Sequence, residues 1–365
     1  MRNFQNITII GVGLIGGSLA MALKRLGSGL RITGISRRPS LEKAGELGAI
    51  DQGYGYESLE EGIREADIIF LCTPIFRIIE LLEDVGRYAK GGAIVTDVGS
   101  TKARIASVAK EVLPGDIYFI GGHPMVGSEK SGVMASDPFL FQNAIYVLTP
   151  GKNVPVEVSD AFSAFVERLG ARVVLMGPHT HDMIAATVSH LPQMMAIALV
   201  RMVGEMNQQN PLFLRLAAGG FRDLTRIASS PYEIWKDICG TNRTEITCMI
   251  DRYITELEKL KGRIGSDKLS EDFRIANITR SAIPKDSKGF LSPLYEIVVV
   301  AEDKPGVIAE ISATIAQENI NIKDIEVLKV REGEGGTIRL AFESEEAADR
   351  AVALLSQRGI QARRR

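Results

Sequence analysis

Four histidines occur in the chain, and one of them, His123, falls in GGHPMVGSEKSG at residues 121–132. Four glycines, a proline and two serines make that stretch read as a loop. Histidine is the side chain whose charge changes nearest neutral pH. Held in place, it is suited to take a proton from a hydroxyl while a hydride leaves the same carbon. Gly121-Gly122 reads as a sharp turn before it, and Pro124 restrains the backbone after it. The competing reading is a loop histidine satisfied by hydrogen bonds. A second candidate is GGFRDLTR, residues 219–226. Arg222 and Arg226 stand one helical turn apart, on one face. An arginine aimed into a cleft would clamp a carboxylate through two parallel hydrogen bonds. Asp223 and Asp237 are placed to hold the pair, and the plainer reading is a surface charge cluster. His179-Thr180-His181-Asp182 invites a metal reading, but His190 lies nine residues past His181, out of phase on a helix. No cysteine is near. The pair His181 and His190 is therefore read as capping and packing, and no metal is expected.

Elements must position these groups. Ile7 to Ile10 is a β-branched strand, and Gly11-Val12-Gly13-Leu14-Ile15-Gly16 follows it into the helical pattern Ser18 to Leu26. That is a dinucleotide fingerprint in its required context. Gly11 permits the turn, Gly13 admits a pyrophosphate, and Gly16 lets helix and strand pack closely. The helix start, Leu14 and Ile15 included, offers free N–H groups to the phosphates. About 20 residues on, a carboxylate usually holds the ribose 2′-hydroxyl. Here Ser36-Arg37-Arg38 stands instead. A hydroxyl and two guanidiniums suit a 2′-phosphate, which leans to NADP; surface arginines with NAD bound are the alternative. Asp67 to Cys72 is a strand ended by Thr73-Pro74, and Ile75 to Tyr88 is a helix. Ala93 to Asp97 is a strand turning at Val98-Gly99-Ser100-Thr101-Lys102. In parallel sheets ligands sit at the carboxyl ends of strands. Thr73, Pro74 and Ser100 are therefore expected beside the nicotinamide, and strand Tyr118 to Gly122 delivers His123 there.

Beyond residue 177 strand signals stop. Helices are expected at His181–Met206, Pro211–Ala218, Gly219–Ser229 and Pro231–Lys261. Residues 263–293 are polar and read as a linker. The tail reads strand, helix, strand, strand, helix, strand from Tyr295 to Arg364, the ferredoxin-like βαββαβ order. The expected architecture is α/β: a Rossmann-type doubly wound sheet (1–177), an all-α helical dimerisation domain (178–262), the linker and a small ferredoxin-like domain (294–365).

Bulk properties exclude several classes. Lys plus Arg is 43 against 45 for Asp plus Glu, a net charge of -2. Nothing in that balance calls for nucleic acid or an acidic membrane. Arg363-Arg364-Arg365 reads as a solvated end. Cys72, Cys239 and Cys248 show no CxxC spacing and fit free thiols in a reducing cytoplasm. No apolar run is expected to reach the ~18 residues of a membrane span. The N-terminus enters a strand pattern directly, without a signal-peptide cleavage site.

Taken together, GVGLIGGSLA, FLCTP, DVGSTK, GGHPMVGSEKSG, SHLPQ and GGFRDLTRIASSPYEIWKDI resemble, in this order, the prephenate and arogenate dehydrogenases over residues 5–260. DKPGVI before the first tail helix resembles an ACT domain, a module that binds amino acids. The resemblance implies oxidative decarboxylation of prephenate to 4-hydroxyphenylpyruvate with NAD or NADP, in tyrosine biosynthesis, by a homodimer. Aromatisation supplies the drive, so no metal is implied. His123 would be the catalytic histidine, and Ser100 would orient it and touch the same substrate hydroxyl. Arg226 would bind a substrate carboxylate, with Arg222 nearby. Ser128, Glu129 and Lys130 would line the pocket entrance, Ser189 its wall. Trp235 would approach the partner subunit's pocket. Gln193 stands where some relatives have histidine, which bears on substrate preference and feedback inhibition. An amino-acid effector, tyrosine by pathway logic, would bind near Asp303, Pro305, Gly306, Val307 and Ile308. Rate loss is expected on acidification through the His123 pKa, between about pH 5 and 8. Arogenate dehydrogenase is the alternative, and a non-catalytic dinucleotide and amino-acid sensor a remote one. A hydroxyacid-type dehydrogenase would rely on a lysine in the helical domain, and residues 180–235 contain none.

Overall fold

The computed structural model describes residues 4–27, 29–126, 130–283, 294–302, 304–331 and 335–364. By chain contacts it divides into two units, residues 1–264 and 265–365.

The first unit is built on eight strands: β1 (Asn6–Ile10), β2 (Arg31–Ile35), β3 (Gln52–Tyr54), β4 (Ile68–Leu71), β5 (Ile94–Asp97), β6 (Tyr118–Pro124), β7 (Ile145–Pro150) and β8 (Arg172–Leu175). Their order is β3-β2-β1-β4-β5-β6-β7-β8. Every pairing is parallel except β6 with β7. The chain winds outward from β1 to β3, then crosses back to β4. The switch point, where a crevice opens, therefore lies between β1 and β4. Both faces of the sheet are covered, so its strands are apolar throughout. Alternation sends Ile7, Ile9, Ile68 and Phe70 into one core and Ile10, Ile69 and Leu71 into the other.

Helices then cover the carboxyl edge. Residues 178–209 run as Pro178–Ala185, a π-helical turn Ala186–His190, and Leu191–Gln209. This segment is long and apolar enough, by length and hydropathy, to cross a membrane, which corrects the expectation that no run would be. It packs instead against the sheet domain, burying His181, Asp182, His190 and Gln193. The expected helix from Pro231 to Lys261 is broken: Tyr232–Thr241 ends at Asn242, and Arg243–Arg263 starts anew.

In the second unit, residues 268–282, expected as linker, form the helix Lys268–Ala282. The stretch is polar but free of Gly and Pro, and Glu271 pairs with Arg274 at 2.6 Å. Polarity misled here, since an exposed helix is polar too. Beyond it β9 (Tyr295–Ala301), β10 (Asp324–Arg331), β11 (Gly335–Phe342) and β12 (Ala362–Arg364) form an antiparallel sheet in the order β10-β11-β9-β12. Helices Val307–Ala316 and Glu345–Gln357 complete the ferredoxin-like order. Arg363 and Arg364, expected in a solvated tail, pair with β9, and Arg364 lies 3.4 Å from Asp349; Arg365 lies outside the described residues. Buried Arg339 is satisfied by Glu296, Asp324 and Glu326 at 2.6–2.8 Å.

Candidate functional site

The nucleotide end is made by glycines, each for a separate reason. Gly11 has φ +97, and a Cβ there would lie 2.6 Å from the Cys72 carbonyl oxygen. A Cβ on Gly16 would meet Gly11 O at 2.2 Å. Gly13 has nothing within 4 Å, so its α-carbon faces open space. It also stands as the N-cap of Leu14–Arg25, without a side-chain cap. The first N–H groups of that helix, at Leu14 and Ile15, are therefore left for a ligand. This geometry fits a dinucleotide pyrophosphate.

At the end of β2 the picture is finer than expected. The Ser36 side chain is buried beside the Tyr56 hydroxyl. Burial raises the Tyr56 pKa, while Arg77, Ser36 and Arg37 oppose the rise. Arg77 lies over the Tyr56 ring at 5.5 Å. Arg38 turns to Glu42 at 3.1 Å instead. Arg37 and Arg77 both bring guanidiniums to Tyr56 at this edge, Arg77 also pairing with Glu80 at 2.9 Å. Tyr56 and Arg77 lie far along the chain and carry no motif, so spacing does not single them out. Thr73 Oγ1 is buried without a hydrogen-bond partner, and Pro74 is the N-cap of helix Ile75–Tyr88.

His123 is not in a loop. Gly121 to Pro124 belong to β6, with His123 opposite Val147 on β7. Gly121 and Gly122 make no sharp turn. A Cβ on Gly121 would meet Thr149 Oγ1 at 2.4 Å, and one on Gly122 would meet the Asp97 carbonyl oxygen at 2.5 Å. They are glycines because β6 is pressed against its neighbours. Beneath them the Lys102 ammonium, fully buried, pairs with Asp97 and donates to Gly122 O at 2.7 Å.

The ring of His123 is held by His181: His123 Nδ1 lies 2.8 Å from His181 Nε2. His181 Nδ1 lies 2.8 Å from Asp182 Oδ1. So the orienting contact comes from His181 rather than from Ser100. Asp182 in turn accepts the amides of Lys102 and Ala103, at 2.7 and 2.8 Å. Asn242 donates to the Asp182 carbonyl oxygen at 2.9 Å and approaches His190 Nδ1 at 3.3 Å. His181 and His190, expected to be capping and packing residues out of phase on a helix, meet in one polar cluster. The π turn between them underwinds the helix, a device common at functional sites. Burial, aided by Lys102, His181 and His190, holds the His123 pKa well below the usual histidine value.

A cavity of about 510 Å³ opens over this ring, lined by Ser100, His123, Ser189, His190, Arg226, Ser230 and Trp235 among others. Four expected site residues are thus brought together with His123: Ser100, Ser189, Arg226 and Trp235. Trp235 lines the pocket of its own chain, edge-on to His190 at 5.8 Å. Arg222 is exposed and is not among the lining residues. Arg222 lies in the helix Gly219–Thr225, and Arg226 opens the 3-10 turn Arg226–Ser229 that follows it. Asp237 holds neither; its carboxylate accepts the Phe76 amide at 3.1 Å. Gln193 is buried with its Nε2 unpartnered, away from the cavity lining. Lys130 is exposed, and Ser128, Glu129 and Asp303 lie outside the described residues.

The family model of the prephenate dehydrogenase nucleotide-binding domain matches residues 19–175. That of the prephenate dehydrogenase dimerization domain matches 177–276, and that of the ACT domain 295–357. Prephenate dehydrogenase of Bacillus subtilis is 37% identical over 97% of this chain and 96% of its own. Among solved structures, prephenate dehydrogenase from Aquifex aeolicus in complex with hydroxyphenyl propionate and NAD+ is 32% identical, with a TM-score of 0.69 over 76% of this chain and 98% of that one. Synechocystis arogenate dehydrogenase is 34% identical, with a TM-score of 0.68 over the same shares. A sheet that opens on a dinucleotide fingerprint, a half-buried histidine facing a cavity with an arginine, and likeness along nearly the whole chain have one common reading: the chain is an oxidoreductase that belongs to the prephenate dehydrogenase family.

Proposed function

We propose that the chain oxidatively decarboxylates prephenate to 4-hydroxyphenylpyruvate. The observation that carries this is a single cavity holding Ser100, His123, Ser189 and Arg226. Arg226 binds a substrate carboxylate and sets the ring over His123. When bound at the Gly11–Gly16 turn, a nicotinamide dinucleotide supplies the hydride acceptor. His123 takes the ring-hydroxyl proton as hydride leaves the same carbon. Carbon dioxide departs from the opposite carbon, the ring becomes aromatic, and His123 returns the proton to the phenolate oxygen. No net proton is released. A base so placed contributes on the order of 10²–10⁴-fold.

At the ribose, Ser36 and Arg37 support NADP, and the Aquifex relative holding NAD+ supports NAD. Nicotinamide absorbance with prephenate or arogenate, each with NAD or NADP, is the direct test. Turnover with one pairing identifies substrate and cofactor, and turnover with none overturns the reading. The apolar groove of about 700 Å³ along Leu191, Met195, Leu199, Leu224, Ile254 and Leu257 supports a homodimer. A cavity of about 430 Å³ in the tail, lined by Lys304, Pro305, Gly306, Val307 and Ile308, supports an amino-acid effector, tyrosine by the logic of end-product control. Three free cysteines fit work in the cytoplasm.

A further inference from the structure

His181 and Asp182 do not line the cavity, yet they determine what His123 can do there. We infer that Asp182 and His181 are positioning residues, a relay that fixes His123 as the Nδ1–H tautomer and leaves Nε2 bare as the base. The kinetic part of this inference rests on the function proposed above; the tautomer part does not.

Three donors converge on Asp182. Oδ1 accepts the Lys102 amide and faces His181 Nδ1 at 2.8 Å, and Oδ2 accepts the Ala103 amide. A carboxylate so surrounded is an acceptor throughout, so the proton on this contact belongs to His181 Nδ1. Neutral His181 then has a bare Nε2, 2.8 Å from His123 Nδ1. Only a proton on His123 Nδ1 makes that contact a hydrogen bond. His123 Nε2 is therefore unprotonated. The alternative is a doubly protonated, cationic His181, which would put the proton of His123 on Nε2 and abolish the base. At rest, the burial of His181 and the Lys102 ammonium beside the pair disfavour that extra charge, with Asp182 as the anion that would receive it in turnover. His181 is 3% exposed. The groups facing the pair are the Lys102 ammonium, backed by Asp97, together with His190 and Asp182.

The same chain gives the transient proton a place to wait. When His123 Nε2 gains the hydroxyl proton, the Nδ1–H bond of His123 breaks and an Nε2–H bond forms on His181. The positive charge then rests against Asp182 rather than beside Lys102. Return of the proton to the phenolate reverses both steps, so atoms and charge balance over the turnover.

The wild-type chain, labelled with 15N, tests the tautomer directly, since four histidine rings give few signals. At neutral pH His123 is expected as Nδ1–H with a bare Nε2. His190, whose Nδ1 faces the Asn242 amide nitrogen, is expected as the opposite tautomer and serves as reference. A proton on His123 Nε2 overturns the relay whether or not the chain turns over prephenate. For the kinetic part, His181→Leu is expected to lower kcat by about 10²-fold or more, as loss of the correct tautomer does elsewhere. KM should stay within about twofold, since His181 does not line the cavity. His181→Gln keeps an acceptor for Nδ1–H and should recover part of kcat while shifting the acid limb of the pH profile. A His181→Leu variant with wild-type kcat and an unmoved acid limb overturns the kinetic part.

Discussion

Lys102 Nζ lies 2.7 Å from the carbonyl oxygen of Gly122, the residue before His123. A buried cation is thus tied to the backbone that carries the base. The ammonium disfavours a second positive charge on the imidazole and depresses its pKa, after burial itself. Lys102→Met removes the cation and leaves Asp97 buried and unpaired. Breaking such a pair costs about 3–5 kcal/mol, so a lower urea midpoint is expected. The acid limb of kcat should move to higher pH in the same variant. An unmoved limb would show that Lys102 does not tune His123.

The depressed His123 pKa also revises the pH window. An unperturbed histidine titrates near pH 6.5, and rate loss between about pH 5 and 8 is what sequence alone implies. With burial, Lys102, His181 and His190 all opposing protonation, the base stays neutral further into acid. The expected profile is a kcat flat through pH 6.5, falling only below it. A midpoint at or above pH 6.5 would overturn the downward shift.

Stability should show its own acid dependence. Burial pulls His190 down to about 4, with His181 adding to the effect and Asp182 opposing it. The unfolded chain binds this proton from about pH 6.5 downward, while the folded chain refuses it until about pH 4. Stability from this group is thus complete above pH 6.5 and is lost progressively as pH falls to about 4. At about 1.4 kcal/mol per pKa unit, the loss is on the order of 3 kcal/mol. Urea midpoints measured across that range, in the wild type and in His190→Phe, check it: the variant's acid loss should be smaller.

The glycines predict opposite outcomes. Gly13→Ala meets nothing within 4 Å, so it should fold normally. Its methyl group would occupy the space facing the pyrophosphate, raising the dinucleotide Kd by about tenfold, or ~1.4 kcal/mol. Gly122→Ala drives a Cβ to 2.5 Å from a backbone oxygen of β5, which cannot move alone. Overpacking of that kind costs about 1–3 kcal/mol and displaces His123. Thermal melting beside dinucleotide titration separates the two, and equal melting losses would refute the assignment.

These glycines also mark how far the sequence could be read. Gly11, Gly13 and Gly16 were legible because strand, turn and helix signals are contiguous. So was the βαββαβ tail, whose periodicity is local. Gly121-Gly122 was misread as a turn because its constraint comes from Thr149 and Asp97, residues on other strands. The His181–His123 contact joins residues 58 apart through a π turn that has no sequence signature. Polar side chains read as surface on a linear chain; only packing shows that Asp182 caps the start of one helix and Asp237 that of another.

Arg226 and Arg222 offer a matched pair of variants. Only Arg226 lines the cavity, so Arg226→Ala should raise the prephenate KM. A hydrogen bond between charged groups is worth about 1.5–3 kcal/mol, or roughly 10–150-fold. Arg226→Lys should recover little of this, because an ammonium lacks the planar fork. Arg222→Ala, on an exposed face, should leave KM within about twofold. Equal effects from both would mean that Arg222 also reaches the substrate.

The apolar groove predicts the assembly state. Met202, Leu224, Ile254 and Leu257 are between 46% and 69% exposed and converge on one groove. Contiguous apolar surface of this kind marks an association site, and a second copy of the chain covers it most simply. In a two-fold interface each substitution acts twice, once on each side. Leu257→Glu should therefore place two carboxylates in the buried seam and shift light-scattering mass from dimer to monomer. Since Ile227 lines both this groove and the His123 cavity, the monomer should also lose activity. A Leu257→Glu protein that remains dimeric at low concentration would place the interface elsewhere, and the groove would need another occupant.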